Sequence, residues 1–208
     1  IPWVSIPASH TEIQTLLLHS VNLYKLHVHQ AIDDVTVVIS KPAHPSQLVE
    51  FLEKTLEGFS KMQTTAHALI DLAHRAKQRF TVMTPFVDDA GIARIIELFE
   101  STASDVQREL IIRRPISEAL TNNGAILARM GVKVQDFRIS KEEVGEHETF
   151  HAKVVRVDDD ECYVGSSNMT QWSFNYSLEL GFLVRGEAGR RVSRILDAVQ
   201  SVSTSVHL

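Results

Sequence analysis

The chain has 208 residues, 44% of them hydrophobic and 23% charged, with 26 acidic against 21 basic side chains for a net charge of −5. This composition excludes a disordered, fibrous or strongly basic chain, so any polyanion site must be local rather than a global positive field. Apolar runs such as Leu16 to Leu18 and Val35 to Ile39 fall far short of the roughly 20 residues of a membrane helix, and no membrane insertion is expected.

Ser9 and Glu12 have the spacing of a capping box, and Ile13, Leu16, Leu17, Val21 and Leu23 predict a helix over 10–22. Asp34 to Ser40 is β-branched and closes on Lys41-Pro42, as a short strand does, and Pro45 opens a helix that ends near Gly58. Residues 1–62 are therefore expected to form an α/β extension ahead of a catalytic domain over 63–208. From Thr64 onward helix and strand alternate: helix to 78, strand 80–84, helix 91–100, strand 109–113, helix 117–130, strand 132–137. Such alternation argues for an α/β layer fold with a largely parallel sheet. Residues 138–149 are charged and irregular, as expected of a surface loop. Two β-like runs, 150–157 and 161–164, flank the acidic turn Asp158-Asp159-Asp160 and read as a hairpin. A strand over 177–184 sets Leu178, Leu180, Phe182 and Val184 on one face and Glu179 on the other. A helix over 188–202 follows, and no internal repeat is present.

The segment from His151 to Asn168 carries the chemistry. On a strand, positions two apart share a face, so His151 and Lys153 project together. After the turn at Asp158 the chain returns antiparallel and delivers Ser166 and Asn168, again two apart, to the same end of the hairpin. Gly165 permits close approach there. Imidazole, ammonium, hydroxyl and amide around one pocket make a phosphate cradle: Lys153 neutralises charge while Ser166 and Asn168 donate hydrogen bonds. Neutral imidazole is a competent nucleophile at phosphorus.

His151-x-Lys153, four residues, Asp158, six residues and Gly165-Ser166-x-Asn168 resemble the HxK(x)4D(x)6GSxN signature of the phospholipase D superfamily at all its fixed positions. The resemblance implies a phospholipase D-like fold, a mixed β-sheet flanked by helices, and a covalent phosphohistidine. It implies that a second motif histidine protonates the leaving oxygen. With one copy of the motif here, that acid would be His151 of a second subunit, making a homodimer with a shared site. It implies an orienting role for Glu179, toward the histidine's other ring nitrogen, and a structural role for Asp158. The chain departs from the family's common pattern at Ser177, where Asn usually stands two residues before that glutamate; Asn175 is nearby.

Arg113 and Arg114, at a strand end, are candidate substrate contacts because ligands collect at carboxyl ends of strands in open α/β sheets. Arg185, Arg190, Arg191 and Arg194 are further basic positions, read as charged surface. Trp172 is a candidate stacking residue, and Phe174 shares that reading with core packing. His27 and His29 lack ligand-type partners, His147 reads as a loop residue, and the acidic run 158–161 reads as a solvated hairpin tip, so neither a metal nor another cofactor is expected.

The motif fixes the reaction and leaves the substrate open. Small single-motif relatives are largely endonucleases, some metal-independent and some tied to restriction or defence, and a DNA endonuclease is the first reading. A phospholipase D or phosphatidyl transferase acting on lipids, and a non-catalytic nucleic-acid-binding module, are the alternatives. The single cysteine, Cys162, excludes an intramolecular disulfide and fits a cytoplasmic setting, while a chain beginning at Ile1 leaves a processed leader open.

Overall fold

A computed structural model describes residues 9–31, 34–141 and 146–208. They fall into two compact units, Ile1–Ile32 and Asp33–Leu208. In the first, helix α1 spans His10–Ala31. It opens on the capping box, with the Ser9 amide donating to Glu12 at 2.7 Å and the Glu12 amide to Ser9 Oγ at 3.3 Å. It continues past Asn22 because no glycine or proline stops it.

The second unit holds strands β1 Asp34–Ser40, β2 Arg79–Met83, β3 Gln107–Ile112, β4 Lys133–Asp136, β5 Ile139–Lys141 and β6 Glu146–Glu148. Strands β7 Lys153–Val157, β8 Glu161–Gly165, β9 Glu179–Arg185 and β10 Thr204–Ser205 complete the set. Its helices are α2 Gln47–Thr55, α3 Thr65–Arg75, α4 Asp89–Glu100, α5 Glu118–Asn122, α6 Gly124–Arg129, α7 Gln171–Asn175 and α8 Glu187–Val202.

The main sheet has eight strands in the order β1-β9-β8-β7-β2-β3-β4-β10. Only β2–β3 and β3–β4 are parallel, and every other pairing is antiparallel. The sheet is therefore mixed, as the resemblance implied, and the largely parallel sheet argued from the alternation alone is corrected. The βαβ alternation covers three strands, after which the β7–β8 hairpin joins through β7, antiparallel to β2. The residues grouped as an extension are split. Strand β1 pairs with β9 along its whole length, and Ile39, Val49 of α2 and Phe59 form a buried cluster.

One face of the sheet packs Phe80, Val82, Val155 and Val157 beneath α3 and α4, with Leu69, Leu72, Ile95 and Leu98 buried among them. The other packs Met83, Ile111, Val154 and Cys162 against Leu196 of α8. Arg156 is fully buried under α8, bonded to Glu109 at 2.8 Å, to Asp197 at 2.6 Å and to Thr81. Cys162 is sealed from solvent, and burial pushes its thiol up to about 11, which leaves it unreactive.

Two local expectations change, and two further features appear. The helix over 117–130 breaks into α5 and α6 at Asn123, whose side-chain amide turns back to the Ala119 carbonyl at 2.9 Å. The 138–149 segment carries the β5–β6 hairpin on either side of residues 142–145, which lie outside the described set. Helix α7 appears between Asn168 and β9. In β9, Leu180 and Phe182 are exposed while Gly181 is buried. The Tyr163 ring fills the core-side space, and a Cβ on Gly181 would lie 2.1 Å from Tyr163 Cε2.

Candidate active site

Strand β7 begins at Lys153 opposite Gly165, where β8 ends, and Gly165 pairs with Gly181 near the start of β9. Met83 pairs with Val154, so the carboxyl end of β2, and with it that of the parallel β3, lies at this same end of the sheet. Motif residues and strand ends thus converge where ligands bind in α/β sheets.

His151 is exposed and Lys153 is 5% exposed. The Lys153 ammonium donates to the His151 carbonyl at 2.8 Å and lies 2.9 Å from Nδ1 and 3.2 Å from Nε2. The ammonium thus rests against the ring rather than on one in-plane lone pair, and it has no acceptor of its own to offer the imidazole. Burial holds the Lys153 ammonium below the ordinary lysine value, Glu179 pulls it back up and Arg113 pushes it further down.

The Ser166 hydroxyl donates to the Glu179 carboxylate and accepts the Leu180 amide at 3.2 Å. The resemblance implied a bond from Glu179 to the imidazole. Among the described residues Lys153 meets the ring instead, and Glu179 acts on Ser166 and Lys153. The Asn168 amide donates to Ser173 Oγ at 3.2 Å, while Asn168 Oδ1 is buried without a partner among the described residues. A bound polar group would relieve that cost.

The loop bearing Asn168 is clamped from behind. Asp88 caps α4 through the Gly91 amide at 2.8 Å, and its other oxygen accepts the Gln171 amide at 2.8 Å. Gly91 is required because a Cβ there would sit 1.6 Å from the Met169 carbonyl oxygen. Gly165 does face a close approach, and its source is internal: a Cβ would meet Tyr163 Oη at 2.2 Å. Asp158 stands at the far end of the hairpin with φ 49°, and its carboxylate accepts the amides of Lys77, Gln78 and Arg79 at 3.2, 2.8 and 3.1 Å.

Of the outer candidates, Arg113 reaches the site. Its guanidinium carbon lies 4.4 Å from the centroid of Phe86, whose ring meets His151 edge-on at 6.1 Å. Arg114 is drawn away by Asp136, at 3.0 Å. Trp172 is exposed and packs on Tyr176 at 5.3 Å, and among the described residues it makes no ring contact with His151. Arg185 pairs with Glu161, and Arg190 and Arg191 pair with Glu187, at the opposite end of the sheet. Phe174 packs against the core, and His147 sits exposed in β6. The side chains of His27 and His29 lie outside the described residues. Sequence reasoning missed Phe86 and Asp88. The strand-end rule that raised Arg113 applies equally to Phe86, one residue past Pro85. Asp88 has the form of a helix cap three residues before Gly91. Among the described residues, no group of three or more histidine, cysteine or acidic side chains could hold a metal ion, and no helix is long and apolar enough to cross a membrane.

A mixed sheet with helices on both faces and this cluster at its end is a phosphodiesterase fold of the phospholipase D type. Residues 69–201 match the family model described as cardiolipin synthase, PLD-like domain, and the chain belongs to the phospholipase D superfamily. Among solved structures it is similar to NucT from Helicobacter pylori (TM-score 0.61, 14% identity, covering 84% of this chain and 100% of that one). It is also similar to Nuc, a phospholipase D family member from Salmonella typhimurium (TM-score 0.56, 14% identity, 85% and 100%). Phosphatidylserine synthase from Haemophilus influenzae matches at TM-score 0.53 and 14% identity, over 98% of this chain but 49% of the synthase. No curated protein sequence matches the chain.

Proposed function

We propose that the protein is a metal-independent DNA endonuclease of the cytoplasm that works as a homodimer through a phosphohistidine on His151. The observation that carries the reading is the exposed imidazole of His151 held against the buried Lys153 ammonium. An incoming phosphate draws the ammonium toward its oxygens and frees the ring nitrogen to attack phosphorus. The P–N bond forms as the bond to the leaving oxygen breaks, and that oxygen takes a proton from the same histidine in a second subunit. Water then attacks phosphorus, gives its proton to that second histidine, and releases His151. Lys153 and the Asn168 side-chain amide carry the charge that develops on the equatorial oxygens, Ser166 joins them when its hydroxyl turns from Glu179 to the phosphate, and Arg113 holds the flanking backbone.

Two features support a dimer. The sequence holds one copy of the motif. In addition β9, which carries Glu179, exposes Leu180 and Phe182 beside Val37 of β1, an apolar strip at the sheet's edge. A lipid-directed reading is favoured by the description of the family model and by the apolar side chains exposed on α1.

Plasmid DNA incubated in EDTA, beside phosphatidylcholine vesicles and a His151→Ala control, separates these readings. Cleavage that persists in EDTA and disappears in the variant is expected, together with a trapped phosphohistidine. Lipid turnover without DNA cleavage overturns the proposal.

A further inference from the structure

A cleft of about 140 Å³ opens behind Phe86, lined by Phe86, Asp88, Arg113, Ser117, Leu120 and Thr170 among others. Phe86 links it to the reacting centre, with its ring 6.1 Å from His151 at 74° and the Arg113 guanidinium carbon 4.4 Å from its centroid. The ring is 44% exposed although it stands at the end of a buried strand. Neighbouring polar groups are already engaged. Asp88 accepts from Gly91 and Gln171, Ser117 Oγ accepts the Leu120 amide, Thr84 donates to the Phe86 carbonyl, and Thr170 accepts the Ser173 amide. The wall therefore offers little to bind a second phosphate, and the Asp88 carboxylate repels one. What remains is an apolar slot with one cation against its aromatic wall. The slot is open on one side and takes the inner edge of a single ring, since an engineered apolar cavity of about 150 Å³ holds benzene.

We infer that this slot holds an uncharged planar ring attached to the substrate next to the scissile phosphodiester, a nucleobase, packed against Phe86 and Arg113. Aromatic and guanidinium planes both stack on bases with little regard to sequence, so the slot reads the presence of a base rather than its identity. The inference rests on the endonuclease reading and deepens it: the enzyme grips one nucleoside beside the cut and prefers strands that can present it unstacked.

The test compares two single-stranded oligonucleotides, one fully base-bearing and one with abasic residues flanking the cleaved phosphate. The wild-type chain is expected to cut the first with kcat/KM about tenfold higher, the scale of one stacked base. Phe86→Leu, which keeps apolar bulk, is expected to collapse that ratio toward one, and Phe86→Trp to keep it. Equal losses on both strands in Phe86→Leu, or no preference in the wild type, overturn the inference. Anisotropy binding of the same strands to His151→Ala reads the slot without cleavage. If the wild type cuts neither these strands nor plasmid DNA, the endonuclease reading fails, and the slot then stands or falls on whether His151→Ala binds the base-bearing strand more tightly and loses that preference when Phe86→Leu is added. An effect of Phe86→Leu confined to lipid turnover overturns both.

Discussion

Glu109→Ala isolates the buried ion network under α8. Arg156 is 0% exposed, and its Nη2 meets Glu109 at 2.8 Å, while its second carboxylate, Asp197, has a side chain 46% exposed and shared with Arg79 at 2.9 Å. Removing Glu109 leaves the guanidinium with one well-solvated carboxylate, Asp197, beside neutral partners such as Thr81 and Gln200. Breaking a buried pair in this way costs about 3–5 kcal/mol, a large fraction of the roughly 5–15 kcal/mol that holds a domain together. In a chain of this size the midpoint of thermal unfolding is expected to fall by about 6–20 °C. The triple change Glu109→Leu, Arg156→Met, Thr81→Val removes the charge pair and the buried hydroxyl that bonds both members, at 2.6 Å to Glu109 and 2.7 Å to Arg156. It is expected to restore most of the loss, because apolar side chains of similar volume avoid the desolvation of both ions. Urea titration at pH 7 measures both variants. A cost below about 1 kcal/mol for Glu109→Ala, or a triple variant no more stable than the single one, refutes this account of how α8 is held.

Other outcomes follow from the site. Lys153 sits below the ordinary lysine value, and Glu179→Gln removes the influence that raises it, so the Lys153 ammonium is expected to lose its proton at still lower pH in that variant, which an NMR titration of the lysine side chain checks. Asp88→Ala removes the α4 cap and the Gln171 anchor; thermal unfolding should show a loss of about 1 kcal/mol, and kinetics a lower kcat from the loosened Asn168 loop. Gly181→Ala drives a methyl into Tyr163, costing about 1–3 kcal/mol, and Tyr163→Leu in the same chain is expected to recover part of it in the same melt.

Sequence reasoning read local elements well where their signals were local. The capping box at Ser9, strand β1 and the hairpin around Asp158 were legible because each is written within a few neighbouring residues. The direction of the sheet and the place of β1 were not. The partner of β1 is β9, at the other end of the chain, and no periodicity in Asp34 to Ser40 names it. Which face of β9 is buried was not legible for the same reason: alternation places Leu180 and Phe182 together but does not show that Tyr163 already fills the space behind Gly181. At the site, the motif spacing located His151, Lys153, Ser166, Asn168 and Glu179 at one end of the sheet. Which of these touch, and that Arg113 reaches the cluster while Arg114 is tied to Asp136, depends on side-chain reach across strands.

The Asp158 clasp bears on how such a chain can change over time. Its carboxylate grips the amides of Lys77, Gln78 and Arg79, groups that every residue except proline supplies. Side chains at those positions can drift, exchanging charge or size, without the aspartate losing its hold. An invariant position can therefore sit opposite variable ones, and covariation between them would be silent even though the contact fixes where the hairpin, and with it the histidine at its other end, is set.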